Sequence, residues 1–189
     1  LEDRVFAAAC DTKTPQGVLC MVQQYHYRLE DLLKKKNPLL MILENLQDPG
    51  NLGTMIRTGE GAGITGVIMN NQTVDIFNPK TIRATMGSIF RVPFVYVPDL
   101  APVLEQMHAK GIHTYAAHLK GQEYYDSFSF REPTAFLIGN EGNGLSKEIS
   151  DQAGQYLKIP MEGRVESLNA SIAAALLMYE AHRQRSARL

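Results

Sequence analysis

The segment FLIGNEGNGLSKEI, residues 136–149, indicates how this chain folds. An apolar run ends in Gly139, a glycine-containing loop follows, and Ser146 is a residue type that begins helices. A buried strand followed by a loop and a helix is the repeating unit of an α/β domain. The glycine spacing fits a phosphate-binding loop, but Leu145 stands where such a loop carries its lysine. With Glu141 at its centre, the loop should repel a triphosphate and suit a neutral or positive ligand, or a hydroxyl donor such as ribose.

The same alternation of strands and helices continues through the chain from residue 39. Apolar runs predict strands at 39–45, 64–70, 94–97, 112–118, 134–140 and 156–161. Helical spacing and terminal signals predict helices at 51–63, 78–88, 99–110, 146–153 and 167–186. We therefore expect an α/β fold with a mainly parallel sheet and helices on both faces.

The N-terminal part of the chain does not follow this pattern. Residues 1–24 predict two extended pieces joined by a turn-rich segment, and residues 25–38 predict a short polar helix and a linker. The regular domain is expected to occupy residues 39–189. Residues 1–24 have no obvious partner elements of their own, and the chain begins with Leu1 rather than Met, so we expect them to be the tail of a segment whose beginning is absent.

Composition excludes some classes of protein. The formal net charge of −1 argues against binding nucleic acid through bulk charge alone, although a local basic patch remains compatible with it. No apolar run approaches the ~20 residues of a membrane-spanning helix. We therefore expect no membrane segment. The histidines and cysteines show no metal-ligand spacing, so we also expect no metal site.

A second unusual loop lies in ENLQDPGNLGTMIRTGEGAG, residues 44–63. The turn at 48–50 places Asn51 to cap the next helix, and Arg57 follows less than two turns later. Alternatively, Arg57 is an ordinary surface residue and Asn51 only a cap. Glycines cost about 1 kcal/mol each in a helix relative to alanine, so this helix needs a close backbone neighbour. The glycines in or near it are Gly53, Gly59, Gly61 and Gly63.

A third unusual loop follows the last predicted strand. The strand ends at Ile159-Pro160-Met161, and a polar loop leads to Ser167-Leu168-Asn169 and an alanine-rich helix. Ser167 is a natural N-cap for that helix. As the alternative to a functional role, Ser167 only caps the helix and Asn169 only faces solvent.

Together these segments resemble the three motifs of the SpoU/TrmH family of RNA ribose 2′-O-methyltransferases, within the SPOUT superfamily. The similarity covers about residues 39–186. The matching positions are Asn51, Gly53, Arg57 and Glu60 in the first motif, Gly139, Glu141, Gly142 and Gly144 in the second, and Ile159-Pro160-Met161 and Ser167-Leu168-Asn169 in the third. The resemblance implies a deep C-terminal trefoil knot, which pattern rules alone would reject.

The resemblance also implies a cofactor, S-adenosylmethionine, and a reaction, methyl transfer to a ribose 2′-hydroxyl. It implies cofactor contacts from Ala116, Gly139, Ile159, Met161, Leu168 and Asn169. The glycine loop would then approach an uncharged adenosine, so it needs no lysine. It further implies that Arg57 is the central catalytic residue, oriented with the ribose by Asn51, Glu141, Ser167 and Asn169. Because a guanidinium has a pKa above ~12, we expect Arg57 to stabilise the 2′-oxyanion rather than to act as a base.

The resemblance implies a homodimer whose active site draws on both subunits. Residues 1–24 resemble the end of a ribosomal-protein-like RNA-binding domain, which favours ribosomal RNA over transfer RNA as substrate and a cytoplasmic location. Candidate phosphate contacts are Arg83, Arg91, Arg164, Arg183 and Arg185. Two alternatives remain: a transfer RNA 2′-O-methyltransferase, and a non-catalytic dimeric module that binds S-adenosylmethionine or RNA. A nucleotide-dependent enzyme is disfavoured because no lysine occupies position 145.

Overall fold

A computed structural model describes residues 2–10, 12 and 14–186, and its centre is a seven-stranded sheet in the order β3-β2-β1-β6-β4-β7-β5. Each neighbouring pair of strands is parallel, which confirms the predicted parallel sheet. The strands are β1 Leu39–Leu43, β2 Gly66–Asn70, β3 Phe94–Val97, β4 His113–Ala117, β5 Glu123–Tyr124, β6 Thr134–Ile138 and β7 Gln155–Lys158.

Helices connect most of these strands. They are α1 Asp3–Ala9, α2 Leu29–Leu33, α3 Pro49–Ala62, α4 Pro79–Thr85, α5 Ala101–Ala109, α6 Lys147–Gln152 and α7 Ala170–Ser186. Short 3₁₀ helices span Ser88–Phe90 and Tyr125–Ser127. Within the described parts of the chain, no helix has the length and apolar character needed to cross a membrane.

Two local predictions differ from the structure. Residues 4–10 were expected to be extended, but most of them lie in α1, whose alanine-rich sequence favours a helix and which buries none of its residues. Strand β5 lies in a stretch for which no strand was expected, because a two-residue exposed edge strand carries no apolar run. The turn-rich segment 11–18 contains residues 11 and 13, which lie outside the described residues.

Helices cover both faces of the sheet because its central strands are apolar on both sides. In β1, Leu39, Met41 and Leu43 pack into the core beside α3 and α7. Leu40 and Ile42 point the opposite way, into the core beside α2, α5 and α6. All five side chains are at most 1% exposed, so both faces of this strand are shielded from water.

The glycines of α3 allow the helix to pack against other parts of the same protein. A Cβ atom at Gly53 would lie 2.5 Å from the Cβ of Ala84 and 2.7 Å from the carbonyl oxygen of Thr81 in α4. A Cβ atom at Gly59 would lie 2.3 Å from the Cδ1 of Ile64. The close neighbour that this helix was expected to need is therefore the protein itself, at least at these two positions.

The end of α7 is anchored beside the start of β1. The half-buried guanidinium of Arg185 donates hydrogen bonds to the carbonyl oxygens of Phe130 at 2.7 Å, Glu132 at 2.6 Å, Asn37 at 3.1 Å and Pro38 at 3.3 Å. Burial lowers the pKa of Arg185. Its expected role as an RNA phosphate contact is wrong in this structure, because its donors are used inside the protein.

Candidate active site

A cleft of about 330 Å³ opens at the carboxyl ends of β4, β6 and β7. This is the edge at which α/β sheets bind ligands. Its walls are formed by the glycine loop after β6, the segment after β7 and the first turn of α7. The predicted residues that line it are Gly139, Glu141, Ile159, Met161, Ser167 and Leu168.

The glycine loop is held in shape by its own hydrogen bonds. The backbones of Asn140 and Gly144 exchange a pair of hydrogen bonds, at 3.0 Å and 2.9 Å. The side-chain oxygen of Asn140 accepts from the N–H groups of Gly142 at 2.9 Å and Asn143 at 3.1 Å. The loop is therefore preformed for a ligand.

Gly139 is required by the loop itself. A Cβ atom there would lie 2.1 Å from both the carbonyl carbon of Gly144 and the nitrogen of Leu145. Such a distance is far below any van der Waals contact, so a larger residue must displace the backbone. The interpretation that Gly139 mainly lets a ligand approach is therefore incomplete, because the loop cannot close over any side chain at this position.

A line of hydrogen bonds joins the three motif segments, and we call it the relay. The carboxylate of Glu141 accepts from the N–H groups of Gln47 at 3.0 Å and Asp48 at 2.9 Å, and from the side-chain Nδ2 of Asn51 at 3.0 Å. The Oδ1 of Asn51 in turn accepts from the Nδ2 of Asn169 at 3.0 Å. The relay thus consists of Glu141, Asn51 and Asn169, which come from three distant parts of the sequence.

The charge of Glu141 sets the direction of the relay. A carboxylate only accepts, so Asn51 turns its Nδ2 toward Glu141 and its Oδ1 toward Asn169. Asn169 then has its Oδ1 available for the backbone N–H of Ser171, at 2.9 Å. Burial raises the pKa of Glu141, but hydrogen bonds from Asn51 and from backbone N–H groups outweigh burial and leave this pKa below its usual value. The residue is therefore ionised at neutral pH.

Glu141 was expected to help orient Arg57 and the ribose; it lines the cleft, and its side-chain hydrogen bonds among the described residues run to the start of α3. Both carboxylate oxygens accept from the protein, and the contacts connect the glycine loop to the first turn of α3. The acidic residue at the centre of the glycine loop therefore positions two loops relative to each other.

The caps of two helices, α3 and α7, differ from the predicted ones. Asp48, not Asn51, caps α3: its carboxylate accepts from the N–H of Asn51 at 2.8 Å, and Pro49 occupies the first helical position. Asn51 lies inside the helix, which leaves its side chain available for the relay. Asn169 takes the capping position of α7, while Ser167 is exposed and makes no hydrogen bond with the described residues.

Arg57 lies on α3 less than two turns after Asn51. Its side chain is exposed, and it makes no hydrogen bond or ion pair within the described part of the chain. It is not among the residues that line the cleft. The structure thus brings Asn51, Glu141 and Asn169 together, and leaves Arg57 on the adjacent surface.

The other candidate phosphate contacts divide into two groups. Arg91 forms a two-pronged ion pair with Glu60, and its hydrogen bonds lower the pKa of Glu60 to about 2. Arg183 forms an ion pair within α7. Arg83 and Arg164 are exposed and make no ion pair among residues 2–10, 12 and 14–186. These last two are the better placed to meet an RNA phosphate.

Some residues around the cleft differ from those predicted. Ala116 is fully buried in the core beside α5, and the next residue, Ala117, lines the cleft instead. His118 also lines the cleft and was not predicted, although its place just after an apolar strand was a usable signal. Glu44, only 6% exposed, accepts from the N–H of Ser146 at 2.7 Å and supports the end of the glycine loop.

Metal ligands do not cluster in the described structure. Among residues 2–10, 12 and 14–186, no group of three or more histidine, cysteine, aspartate or glutamate side chains is arranged to hold a metal ion.

Comparison with known proteins adds independent information. Residues 38–179 match the sequence profile of the SpoU rRNA methylase family. The chain is 34% identical over 179 residues to the 23S rRNA (guanosine(2553)-2′-O)-methyltransferase RlmP of Bacillus subtilis (strain 168), a similarity that covers 95% of this chain and 70% of the relative.

Solved structures with the same fold include two with bound cofactor. The AdoMet-bound rRNA methyltransferase from Sinorhizobium meliloti has a TM-score of 0.80 and 36% identity, over 85% of this chain and 62% of that one. The SpoU methyltransferase AviRb from Streptomyces viridochromogenes, in complex with AdoMet, has a TM-score of 0.79 and 34% identity, over 85% of this chain and 63% of that one. This chain therefore spans less than two thirds of either of these proteins.

Proposed function

The chain belongs to the SpoU rRNA methylase family, and from that premise we propose that the protein transfers a methyl group from S-adenosylmethionine to a ribose 2′-hydroxyl of RNA. The observation that carries this proposal is the relay. Glu141 from the cleft wall, Asn51 from the helix that bears Arg57, and Asn169 from the start of α7 share one line of hydrogen bonds. The relay thus holds α3, the helix that bears the exposed Arg57, against the wall of a small-molecule cleft.

The cleft suits S-adenosylmethionine in size and chemistry. Its volume of about 330 Å³ lies within the range of small-molecule sites, roughly 300–1,000 Å³. The wall residues Ile159, Met161 and Leu168 would hold the adenosine part beside the preformed glycine loop. Leu145 is buried and supplies no charge for a triphosphate. When bound, the cofactor supplies an electrophilic methyl group on a sulfonium.

Arg57 is the proposed catalytic residue. Loss of the proton from the ribose 2′-hydroxyl to solvent leaves negative charge on its oxygen, which a guanidinium stabilises by hydrogen bonds. Arg57 suits this role because it is exposed and its donors have no partner among the described residues. A guanidinium has only donors and keeps its charge in proteins, so Arg57 is excluded as the proton acceptor. Asn51, Glu141 and Asn169 act as positioning residues that fix α3 against the cleft, and Ser167 offers a hydroxyl at the cleft wall.

We propose that two copies of the chain share each active site, because Arg57 does not line the cleft of its own chain. The outer face of α7 supports a homodimer. Ile172, Leu176 and Tyr179 are 50%, 36% and 49% exposed at helical spacing, and with Tyr125 they line a shallow groove. Sedimentation should show a dimer that Leu176→Glu converts to an inactive monomer. A monomeric wild-type protein with full activity would contradict the shared site.

Ribosomal RNA is the proposed substrate, and the cytoplasm the proposed location. Residues 1–24 would belong to an N-terminal RNA-binding region, residues 25–38 would be a linker and residues 39–189 the catalytic domain. The relative RlmP is named for methylation of 23S rRNA, which supports the same choice. Mapping ribose methylation in cellular RNA, with and without the full-length protein, tests this directly. Loss of a transfer RNA modification would favour the alternative substrate, and no loss at all would favour a non-catalytic binding module.

We also propose that the C-terminal region forms a deep trefoil knot. After β7, the chain passes along the cleft to Asn169 and returns to the middle of the sheet, where α7 packs against α3 and β6. Phe130, in the segment between β5 and β6, donates its N–H to the side chain of Gln184 in α7 at 2.7 Å. A crystallographic chain trace of residues 118–186 would test the crossing order.

A further inference from the structure

An aromatic pair stands at the mouth of the cleft. His118, the residue after β4, lines the cleft, and its imidazole stacks on the ring of Tyr156 with centroids 5.0 Å apart and planes inclined by 21°. Tyr156 does not itself line the cleft. One face of the imidazole is therefore covered by protein, and the other face and the Nε2 edge remain for a ligand.

This pair is fixed in position by the protein alone. The Nδ1 of His118 accepts from the backbone N–H of Lys120 at 3.0 Å, which places the proton of the neutral ring on Nε2. The hydroxyl of Tyr156 donates to Asp151 at 3.2 Å, and Lys147 forms an ion pair with the same carboxylate. An imidazole held by Tyr156 on one face and by Lys120 at Nδ1 is a preorganised flat surface, which lowers the entropy cost of binding.

The cleft offers different chemistry to the two ends of the proposed cofactor. Lys158 and Glu166 also line it, and their opposite charges suit the carboxylate and ammonium of an amino acid. The imidazole of His118 and its apolar neighbour Leu157 suit a purine instead. We propose that the imidazole of His118 is the surface on which the adenine of S-adenosylmethionine stacks. This inference rests on the cofactor assigned under the proposed function.

Two substitutions at position 118 separate stacking from support of the loop. His118→Asn removes the ring but keeps an acceptor for the N–H of Lys120, whereas His118→Phe keeps a ring and removes that acceptor. Loss of a stacked aromatic ring weakens binding of a base about 5- to 150-fold. His118→Asn should therefore weaken binding by that factor, and His118→Phe should stay within about threefold of wild type, since its ring still stacks.

The measurement is calorimetric titration with S-adenosylhomocysteine and with 5′-methylthioadenosine, which has no amino-acid part. Both ligands should lose affinity by the same factor with His118→Asn. His113→Ala, at the opposite end of β4 and exposed, is the matched histidine control and should bind as wild type. Thermal melting checks that each variant is folded.

The possible outcomes have distinct meanings. If the wild-type protein binds neither ligand, the proposed function is refuted and this inference is refuted with it. If it binds both, and His118→Asn binds as tightly as wild type, the stacking role is refuted. Weak binding by His118→Phe with normal binding by His118→Asn would show that His118 only anchors the loop. Loss confined to S-adenosylhomocysteine would place His118 at the amino-acid end.

Discussion

Replacement of Glu141 by glutamine tests whether its charge holds the glycine loop to α3. Glutamine has the same shape but only one accepting oxygen. If that oxygen keeps the bonds from Asp48 and Asn51, the new NH₂ group faces the N–H of Gln47, which now lies 3.0 Å from a carboxylate oxygen. One charge-assisted hydrogen bond is then lost and two donors oppose each other.

The magnitude follows from the kind of bond that is lost. A hydrogen bond to a charged group contributes about 1.5–3 kcal/mol when it is shielded from water. Glu141 lies at the exposed edge of the cleft, so water compensates part of the loss. We expect Glu141→Gln to lower the free energy of unfolding by about 1–2 kcal/mol at pH 7. The deletion Glu141→Ala should cost somewhat more, because three donors lose their acceptor.

The dependence on pH provides a second and sharper signature. Because the pKa of Glu141 is lowered in the folded protein, its stabilisation is complete above its unfolded pKa of about 4.3 and is lost as the pH falls through the folded pKa. The difference in unfolding free energy between wild type and Glu141→Gln should therefore shrink at acidic pH.

Urea unfolding at a series of pH values from 7 downward measures this difference, with equal m-values confirming comparable transitions. The matched control is Glu105→Gln on α5, an exposed glutamate without a hydrogen bond or ion pair among the described residues, which should change nothing. The reasoning is refuted if Glu141→Gln is as stable as wild type at pH 7. It is equally refuted if the difference stays constant as the carboxylate protonates.

Three other substitutions test separate parts of the structure. Arg57→Ala should slow single-turnover methyl transfer by about 10²–10³-fold and leave cofactor affinity almost unchanged. Arg57→Lys should recover little of the rate. Near-normal turnover in the folded alanine variant would show that Arg57 is not catalytic. Gly139→Ala should lower both the melting temperature and cofactor affinity, because its Cβ would lie 2.1 Å from backbone, whereas Gly142→Ala, whose nearest neighbour is 3.5 Å away, should keep its melting temperature. Equal melting temperatures would show that the loop tolerates a side chain at 139. Arg185→Ala should lower the free energy of unfolding by about 3 kcal/mol in urea, since four carbonyl oxygens lose their donor, while the exposed Arg183→Ala should cost less than about 1 kcal/mol. Similar losses for both arginines would contradict the anchoring role.

The sequence alone was sufficient to predict the fold class and most of the strands and helices. Apolar runs such as 39–45 and 134–140 predicted strands that the structure contains at 39–43 and 134–138. This works because a strand buried on both faces must be apolar throughout, whatever its neighbours are. Local signals also sufficed to predict a cap that is adjacent to its helix, as for Ser146 before α6. The motif residues and the family could likewise be predicted, since their order along the chain is a property of the sequence.

Only the tertiary structure showed what the polar residues contact. The cap of α3 is Asp48 rather than the predicted Asn51. Asn51 instead forms hydrogen bonds with Glu141 and Asn169, which lie 90 and 118 residues away in the sequence. Arg185 was expected to contact an RNA phosphate, but folding places four carbonyl oxygens around its guanidinium. A side chain's hydrogen-bond partner depends on which distant segments the sheet order brings together. Composition and periodicity describe only neighbours along the chain. The relay and the contacts of Arg185 join distant segments, so only the tertiary structure could show them.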